Sequence, residues 1–367
     1  MKKIVEFITL SEIGGAQIVL QKIIENLKSN YKFYLITSGE DFLVDFFKDI
    51  PEVEVIVLKN LQRKISIKKD FLCFIELYKI LRDIKPDIVH AHSSKAGFLI
   101  RLFKFMNFDF EVFFTVHGFI SSTYSSKTAI LLMDFIEKIT SSLVDHFIFV
   151  SENDSMVALD KGWKIKDYKV IYNGIEEVRQ ENNRVLSKLV EENNNKMIFG
   201  TVARLSKQKN PLKLLNLINN NPEEFNDKFF IWIGSGNLED ECREFVEENN
   251  LERNINFTGK IMDANKYVKY FDVFYLLSSW ECLPISIIEA LQQGLPILAT
   301  DVGGVSEMVT ELNGILLTKN YNEKEFLESI NALSYETINN MSNNSVRIYK
   351  ENFTLKKMIQ KYNNIFR

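Results

Sequence analysis

A chain of 367 residues is longer than one ordinary hydrophobic core supports, so two domains of similar size are expected. With 46% hydrophobic residues, 26% charged residues and a formal net charge of -4, the composition is that of a soluble globular protein, and nothing in it suggests a nucleic-acid partner. Cys73, Cys242 and Cys282 are far apart, odd in number and not in metal-ligand spacing, which fits reduced cytosolic thiols and argues against a disulfide framework.

In chain order, Met1 to Ile8 begins like a signal peptide. Glu6 interrupts its apolar run and Ser11-Glu12 ends it, which fits a first buried strand better. Short apolar runs then alternate with longer amphipathic segments, the pattern of parallel strands covered by helices. The strands expected in the first half are Ile4–Thr9, Phe33–Thr37, Val53–Val57, Ile88–Ala91, Val112–Val116 and Phe147–Val150. Those of the second half are Met197–Val202, Phe229–Ile233, Ile255–Thr258, Val273–Leu277, Ile297–Ala299 and Ile315–Leu317. Glu176 to Asn195 is polar and reads as a linker and polar entry segment, which divides the chain into domains at 1–175 and 196–350. Thr354–Phe366 reads as a final amphipathic helix within 351–367. No run approaches the roughly 18 to 20 apolar residues of a membrane span, so any membrane contact is expected to be peripheral. Two doubly wound α/β sheets bind ligands beyond the carboxyl ends of their strands, and the loops there hold the informative residues.

In the first half, Gly14 and Gly15 follow the first strand, where backbone N–H groups can approach a phosphate; a tight turn without a ligand is equally consistent. The segment Lys59 to Lys69 is basic and partly amphipathic, fitting either a solvated surface or contact with anionic lipid head groups. After the fourth strand, His90-Ala91-His92-Ser93-Ser94-Lys95 is a candidate acceptor-side patch, and two histidines at i, i+2 are too few for a metal site. In the second half, Arg204 and Lys209 stand in a loop after a strand, with Gly234-Ser235-Gly236 downstream. Pro284 and Gly294 bracket a helix, so Glu281 lies just before it and Glu289 within it. The neighbours of Glu289 are nearly all apolar, and a carboxylate so placed needs partners, which ligand hydroxyls would supply.

These motifs resemble glycosyltransferase family 4, a retaining family with the two-domain GT-B fold, and the resemblance covers nearly the whole length. It implies two Rossmann-like domains, acceptor-binding and nucleotide-sugar-binding, facing an interdomain cleft, with the C-terminal helix crossing back onto the first domain. Glu281 to Glu289 is similar to the family's E-x7-E motif, whose second Glu holds the donor ribose while the first sits by the sugar. The backbone of Leu283, Pro284, Ile285 and Ser286 would then contact the diphosphate or the sugar. Arg204 and Lys209 match the pair that binds the pyrophosphate, where fixed cations stabilise the charge of the leaving group. Gly14, Gly15, Gly234 and Gly236 join this donor set, and Lys260 and Ile261 fall where relatives hold the nucleobase. His117, in Val116-His117-Gly118-Phe119, resembles the histidine that approaches the donor sugar. His117, Glu281, Arg204 and Lys209 are therefore the expected catalytic residues, with Gln17, His92, Ser94 and Lys95 on the acceptor side. Gln17, Cys282 and Asn210 depart from the residues many relatives carry, which are Glu, Gly and Gly.

The resemblance implies transfer, with retention, from a nucleotide diphosphate sugar to a glycan or lipid-linked saccharide in bacterial surface polysaccharide synthesis. The donor is expected to be a UDP sugar first and GDP-mannose second. No Asp-x-Asp pair occurs, so no metal and no cofactor are expected. The expected location is cytoplasmic, with possible peripheral contact with an anionic membrane. A nucleotide-sugar epimerase of the same fold and a non-catalytic accessory subunit are the alternatives.

Overall fold

The computed structural model describes residues 1–106, 108–119 and 127–367. It divides into two compact units, Met1–Asn173 with Leu355–Arg367, and Gly174–Thr354.

Among the described residues, the first unit is built on a seven-stranded parallel sheet. Its strands are β1 (Lys3–Phe7), β2 (Lys32–Thr37), β3 (Val53–Val57), β4 (Ile88–Ala91), β5 (Glu111–Val116), β6 (His146–Phe149) and β7 (Tyr168–Val170), in the order β3-β2-β1-β4-β5-β6-β7. Its helices are α1 (Gly15–Leu27), α2 (Phe42–Phe47), α3 (Ile67–Ile84), α4 (Ser94–Phe103), α5 (Lys127–Thr140), α6 (Glu152–Asp160) and, at the end of the chain, α13 (Leu355–Phe366). Strand β4, near the middle of the sheet, is buried at all four positions, which is why it shows no exposed-face alternation in the sequence. Strand β7 escapes the sequence pattern because it is a three-residue edge strand with Tyr168 and Lys169 exposed. The last helix belongs to this unit: Lys2 donates to the Phe366 carbonyl at 3.1 Å, and Phe366 packs edge-on against Tyr31.

The second unit carries, among the described residues, a six-stranded parallel sheet in the order β10-β9-β8-β11-β12-β13. These strands are β8 (Met197–Val202), β9 (Lys228–Ile233), β10 (Ile255–Gly259), β11 (Val273–Leu276), β12 (Ile297–Thr300) and β13 (Gly314–Leu317), and the helices are α7 (Arg184–Glu192), α8 (Pro211–Asn220), α9 (Glu239–Glu248), α10 (Ile285–Gln292), α11 (Glu323–Asn331) and α12 (Tyr335–Asn352). Phe199, Phe230, Trp232 and Tyr275 form an aromatic centre to its core. The segment 176–195, expected as a linker and polar entry segment, lies within this unit and contains helix α7 (Arg184–Glu192). The Asn183 side chain caps that helix by accepting from the Val185 and Leu186 amides, and Leu186 is buried beneath it. A surface helix with a single fully buried apolar residue has the composition of a linker, which accounts for the difference.

In both sheets, strand order reverses between the first strand and its fourth-strand neighbour, β1/β4 in one unit and β8/β11 in the other. Loops leaving adjacent strands in opposite directions open a crevice at such a switch point.

Candidate active site

In the second unit, four loops meet at the β8/β11 switch point. The loop after β8 carries Arg204 and Lys209, and the loop after β11 carries Glu281. They are laced together: Ser279 N–H donates to the Gln208 carbonyl at 2.8 Å, and the Gln208 side chain donates to the Trp280 carbonyl at 2.8 Å. Lys209 and Glu281 form an ion pair that is largely shielded from solvent. Arg204 is exposed, and among the described residues no carboxylate pairs with it. A cation left unpaired beside a bound pair suits an incoming anion.

The glycines here are sites of close backbone approach. Gly234 adopts φ 139°, and a Cβ there would lie 2.1 Å from the Ala203 carbonyl oxygen, so only glycine lets the 234–236 loop lie against the Arg204 loop. The Leu205 N–H donates to the Ser235 carbonyl at 3.1 Å and locks that contact. Gly303, at φ 59°, presses on the other side, where a Cβ would sit 2.0 Å from the Glu281 carbonyl oxygen. The Gly304 N–H donates to the Cys282 carbonyl at 2.7 Å. Asn210 is left-handed at φ 58°, ψ 43°. Asparagine is among the few side chains that tolerate that region, so its departure from glycine leaves the loop intact.

Helix α10 (Ile285–Gln292) starts in this crevice and offers its first N–H groups, with Gly294 at φ 74° behind its C-terminus. Glu289 lies one turn in, half-buried; burial pushes its carboxyl up to about 7, opposed by a hydrogen bond from the Asn265 side chain. Lys260 and Ile261 follow β10, and the bridge between Gly234 and Gly259 places that turn beside the Gly234 loop. Arg204, Lys209, Gly234, Gly236, Lys260, Ile261, Glu281, Leu283, Pro284, Ile285, Ser286 and Glu289 thus all fall on loops or a helix start at one end of one sheet.

The remaining candidates lie in the first unit. Gly14 caps α1, Gly15 begins it, and the Gln17 side chain folds back to donate to the Leu10 carbonyl at 3.0 Å. Ser94 starts α4. Two of the acceptor-side candidates have their polar atoms engaged within the protein. Lys95 has its ammonium committed to Asp70 at 2.6 Å and to the Gln62 and Lys64 carbonyls at 2.7 and 2.8 Å, so it braces the basic 59–69 segment. His92 is buried, with one ring nitrogen 2.6 Å from Glu6 and the other 3.0 Å from His117. Neither ring nitrogen is available to an acceptor. His117 itself follows β5. Sequence reasoning did not single out Glu6 as a candidate, although its signal was present as a carboxylate between the apolar Val5 and Phe7 of the first strand.

Comparison with known proteins agrees with this geometry. The family profile described as Glycosyltransferase Family 4 matches residues 13–179, and that described as Glycosyl transferases group 1 matches residues 183–348. The chain is 32% identical over 319 residues to the O-antigen biosynthesis glycosyltransferase WbnH of Escherichia coli, covering 86% of each. It is 28% identical to the UDP-Gal:alpha-D-GlcNAc-diphosphoundecaprenol alpha-1,3-galactosyltransferase of the same organism, covering 96% of this chain and 94% of that one. Its fold is similar to that of Anabaena Alr3699/HepE, solved in complex with UDP, with a TM-score of 0.83 at 19% identity, covering 100% of this chain and 99% of the other. The chain belongs to glycosyltransferase family 4 and has two Rossmann-like domains of the GT-B type. It is a glycosyltransferase.

Proposed function

We propose that this glycosyltransferase moves a hexosyl or N-acetylhexosaminyl group from a UDP sugar to a glycan or lipid-linked saccharide during bacterial surface polysaccharide synthesis, with retention and without a divalent metal. The observation that carries the reading is the convergence of Arg204, Lys209, the start of α10 and Glu289 at one switch point. The two cations and the helix N–H groups suit a diphosphate, and the Glu289 carboxyl suits ribose hydroxyls. A relative named for transfer from UDP-Gal to a diphosphoundecaprenol-linked sugar supports the donor class and a lipid-linked acceptor. We assign leaving-group stabilisation to Arg204 and Lys209, and sugar contacts to Glu281 and His117. Gly14, Gly15 and Gln17 are retained as loop contacts, and Ser94 as an acceptor contact.

An acceptor of that kind fits a surface that meets the membrane. The 59–69 segment exposes Arg63, Lys64, Lys68 and Lys69 beside Ile65 and Ile67, and α3 continues with exposed Phe71 and Ile75. Helix α5 also exposes Leu131, Leu132, Phe135 and Ile139. No helix among the described residues is long and apolar enough to cross a membrane. The test is transfer from UDP-galactose, UDP-glucose, UDP-N-acetylglucosamine and GDP-mannose to an undecaprenyl-diphosphate sugar, in EDTA, with the product anomer read by NMR. The reading expects an α-linked product from a UDP donor in EDTA. It fails if transfer requires added metal or if the linkage is inverted.

Glu289 adds a pH signature. With its carboxyl raised from 4.5 to about 7, the folded protein holds a proton that the unfolded chain has released between those values. Stability on this account falls as pH rises from about 4.5 to 7 and then levels. Ribose hydroxyls donate to the ionised form, so UDP binding should release a proton below pH 7 and tighten as pH rises through about 7. Calorimetry of UDP at pH 6, in buffers of different ionisation enthalpy, should show more proton release for the wild type than for Glu289→Gln. Equal release from the two proteins would refute the assignment.

A further inference from the structure

Glu6 and His92 play no part in the donor site, yet both are fully or almost fully buried. Glu6 lies opposite His90 in the parallel β1/β4 register, and His92 follows two residues later, so all three side chains share one face of the sheet. His92 Nε2 is 2.6 Å from Glu6 Oε2, and His92 Nδ1 is 3.0 Å from His117 Nε2. His90 Nδ1 is 3.0 Å from the same Glu6 oxygen, and its Nε2 is 2.7 Å from the Thr115 hydroxyl. No Lys or Arg pairs with Glu6 among the described residues, and the strand holds this carboxylate despite the cost of burying it.

Two histidines and a carboxylate whose ligand atoms lie within 4.8 Å of one another also form a candidate metal cluster. Bonds of about 2.1 Å at tetrahedral angles would separate ligand atoms by roughly 3.4 Å. The observed 2.6 Å from His92 Nε2 to the Glu6 oxygen is shorter and matches a shared proton, and His90 Nδ1, at 3.0 Å from the same oxygen, is also closer than two ligands of one metal would sit. The atoms are arranged as a hydrogen-bonded chain.

The direction of that chain follows from valence. An ionised carboxylate only accepts, so His92 Nε2 carries the proton between them. Neutral His92 then has a bare Nδ1, which can only accept, so His117 must present Nε2–H to it. We propose that Glu6 and His92 are positioning residues that hold His117 as the Nε2–H tautomer, leaving its Nδ1 lone pair to accept a hydrogen bond from a ligand hydroxyl. The surroundings agree. Burial and neighbouring His90 lower His92 to about 4, outweighing the pull of Glu6, and burial with His92 and His90 keeps His117 well below its usual value. Burial alone would raise Glu6, but the adjacent His90 and His92 bring it down to about 2. The groups facing this chain are Glu6 from β1, His90 and His92 from β4, and Tyr362 from α13. The inference rests on the assignment of His117 to the transfer reaction only for its kinetic consequence.

The chain has four histidines, so their ring nitrogens can be assigned by long-range 15N–1H correlation on the labelled protein without any ligand. His117 should appear as the Nε2–H tautomer from pH 6 to 8. Glu6→Gln should populate the Nδ1–H form and lower kcat by roughly 10- to 100-fold, with the donor KM within about threefold, because a misdirected lone pair costs orientation rather than binding. Glu6→Asp, which keeps the charge, should restore the tautomer and part of the rate. An Nδ1–H or cationic His117 in the wild type overturns the proposal even if Glu6→Gln fails to fold. So does an unchanged kcat in a folded Glu6→Gln whose tautomer has switched. Failure of the donor assignment would appear separately, as loss of UDP binding with the His117 spectrum unchanged.

Discussion

Replacing Lys209 by alanine is expected to lower kcat/KM by on the order of 100- to 1000-fold, the usual consequence of removing one preorganised group that stabilises leaving-group charge. Lys209 is held by Glu281 in a largely solvent-shielded pair, and the Gln208–Trp280 and Ser279–Gln208 hydrogen bonds fix the loops that carry both. The substitution removes the cation and leaves Glu281 unpaired beside an anionic leaving group. Lys209→Ala combined with Glu281→Gln should therefore lose less than the product of the two single losses. Lys207, exposed in the same loop, supplies the control. Lys207→Ala should stay within about threefold of wild type, because an unanchored surface charge in water contributes little. Equal losses for Lys207→Ala and Lys209→Ala, measured by initial rates at several donor concentrations, would reduce the site to a general basic surface.

The second large effect is expected at Gly303. An alanine there would combine a left-handed φ of 59° with a Cβ 2.0 Å from the Glu281 carbonyl oxygen, and that oxygen cannot yield without moving the loop that carries Glu281. Gly259 separates the two contributions: its φ is 73°, but its nearest atoms lie 3.9 to 4.0 Å away. Gly259→Ala meets the conformational penalty alone, about 1 to 2 kcal/mol, which lowers Tm by roughly 2 to 8 °C for a unit of this size. Gly303→Ala should lower it by at least twice as much and abolish UDP binding. Thermal unfolding of both variants, with and without UDP, makes the comparison. A Gly303→Ala protein with wild-type Tm would show that the loop is not packed as described.

The unequal legibility of these features in the sequence has physical causes. Buried parallel strands announce themselves as apolar runs, so twelve of the thirteen strands of the described residues were readable; the edge strand at Tyr168 lacks that signal. The strand–loop–helix setting of the proposed donor-side residues was legible because Pro284, Gly294 and the glycine loops constrain local backbone, whereas the roles proposed for them came from the resemblance to glycosyltransferase family 4. The helix inside 176–195 was hidden because it buries a single leucine completely. The fate of His92 and Lys95 could not be read locally at all. Their partners, Glu6 and Asp70, lie 86 and 25 positions away, and only the β1/β4 register and the packing of α3 bring them together. A histidine at a strand end reads the same whether it faces ligand or holds another histidine.

The β8/β11 switch point of the second unit is proposed to hold a nucleoside diphosphate through Arg204 and Lys209. Titration calorimetry of UDP into the wild type and Arg204→Ala, both in EDTA, tests it most directly. Metal-free binding by the wild type, weakened about 10- to 100-fold in the variant, is the predicted result, since a charge-assisted contact contributes roughly 1.5 to 3 kcal/mol. Absence of binding to folded wild type, or equal affinity in the two proteins, would contradict it.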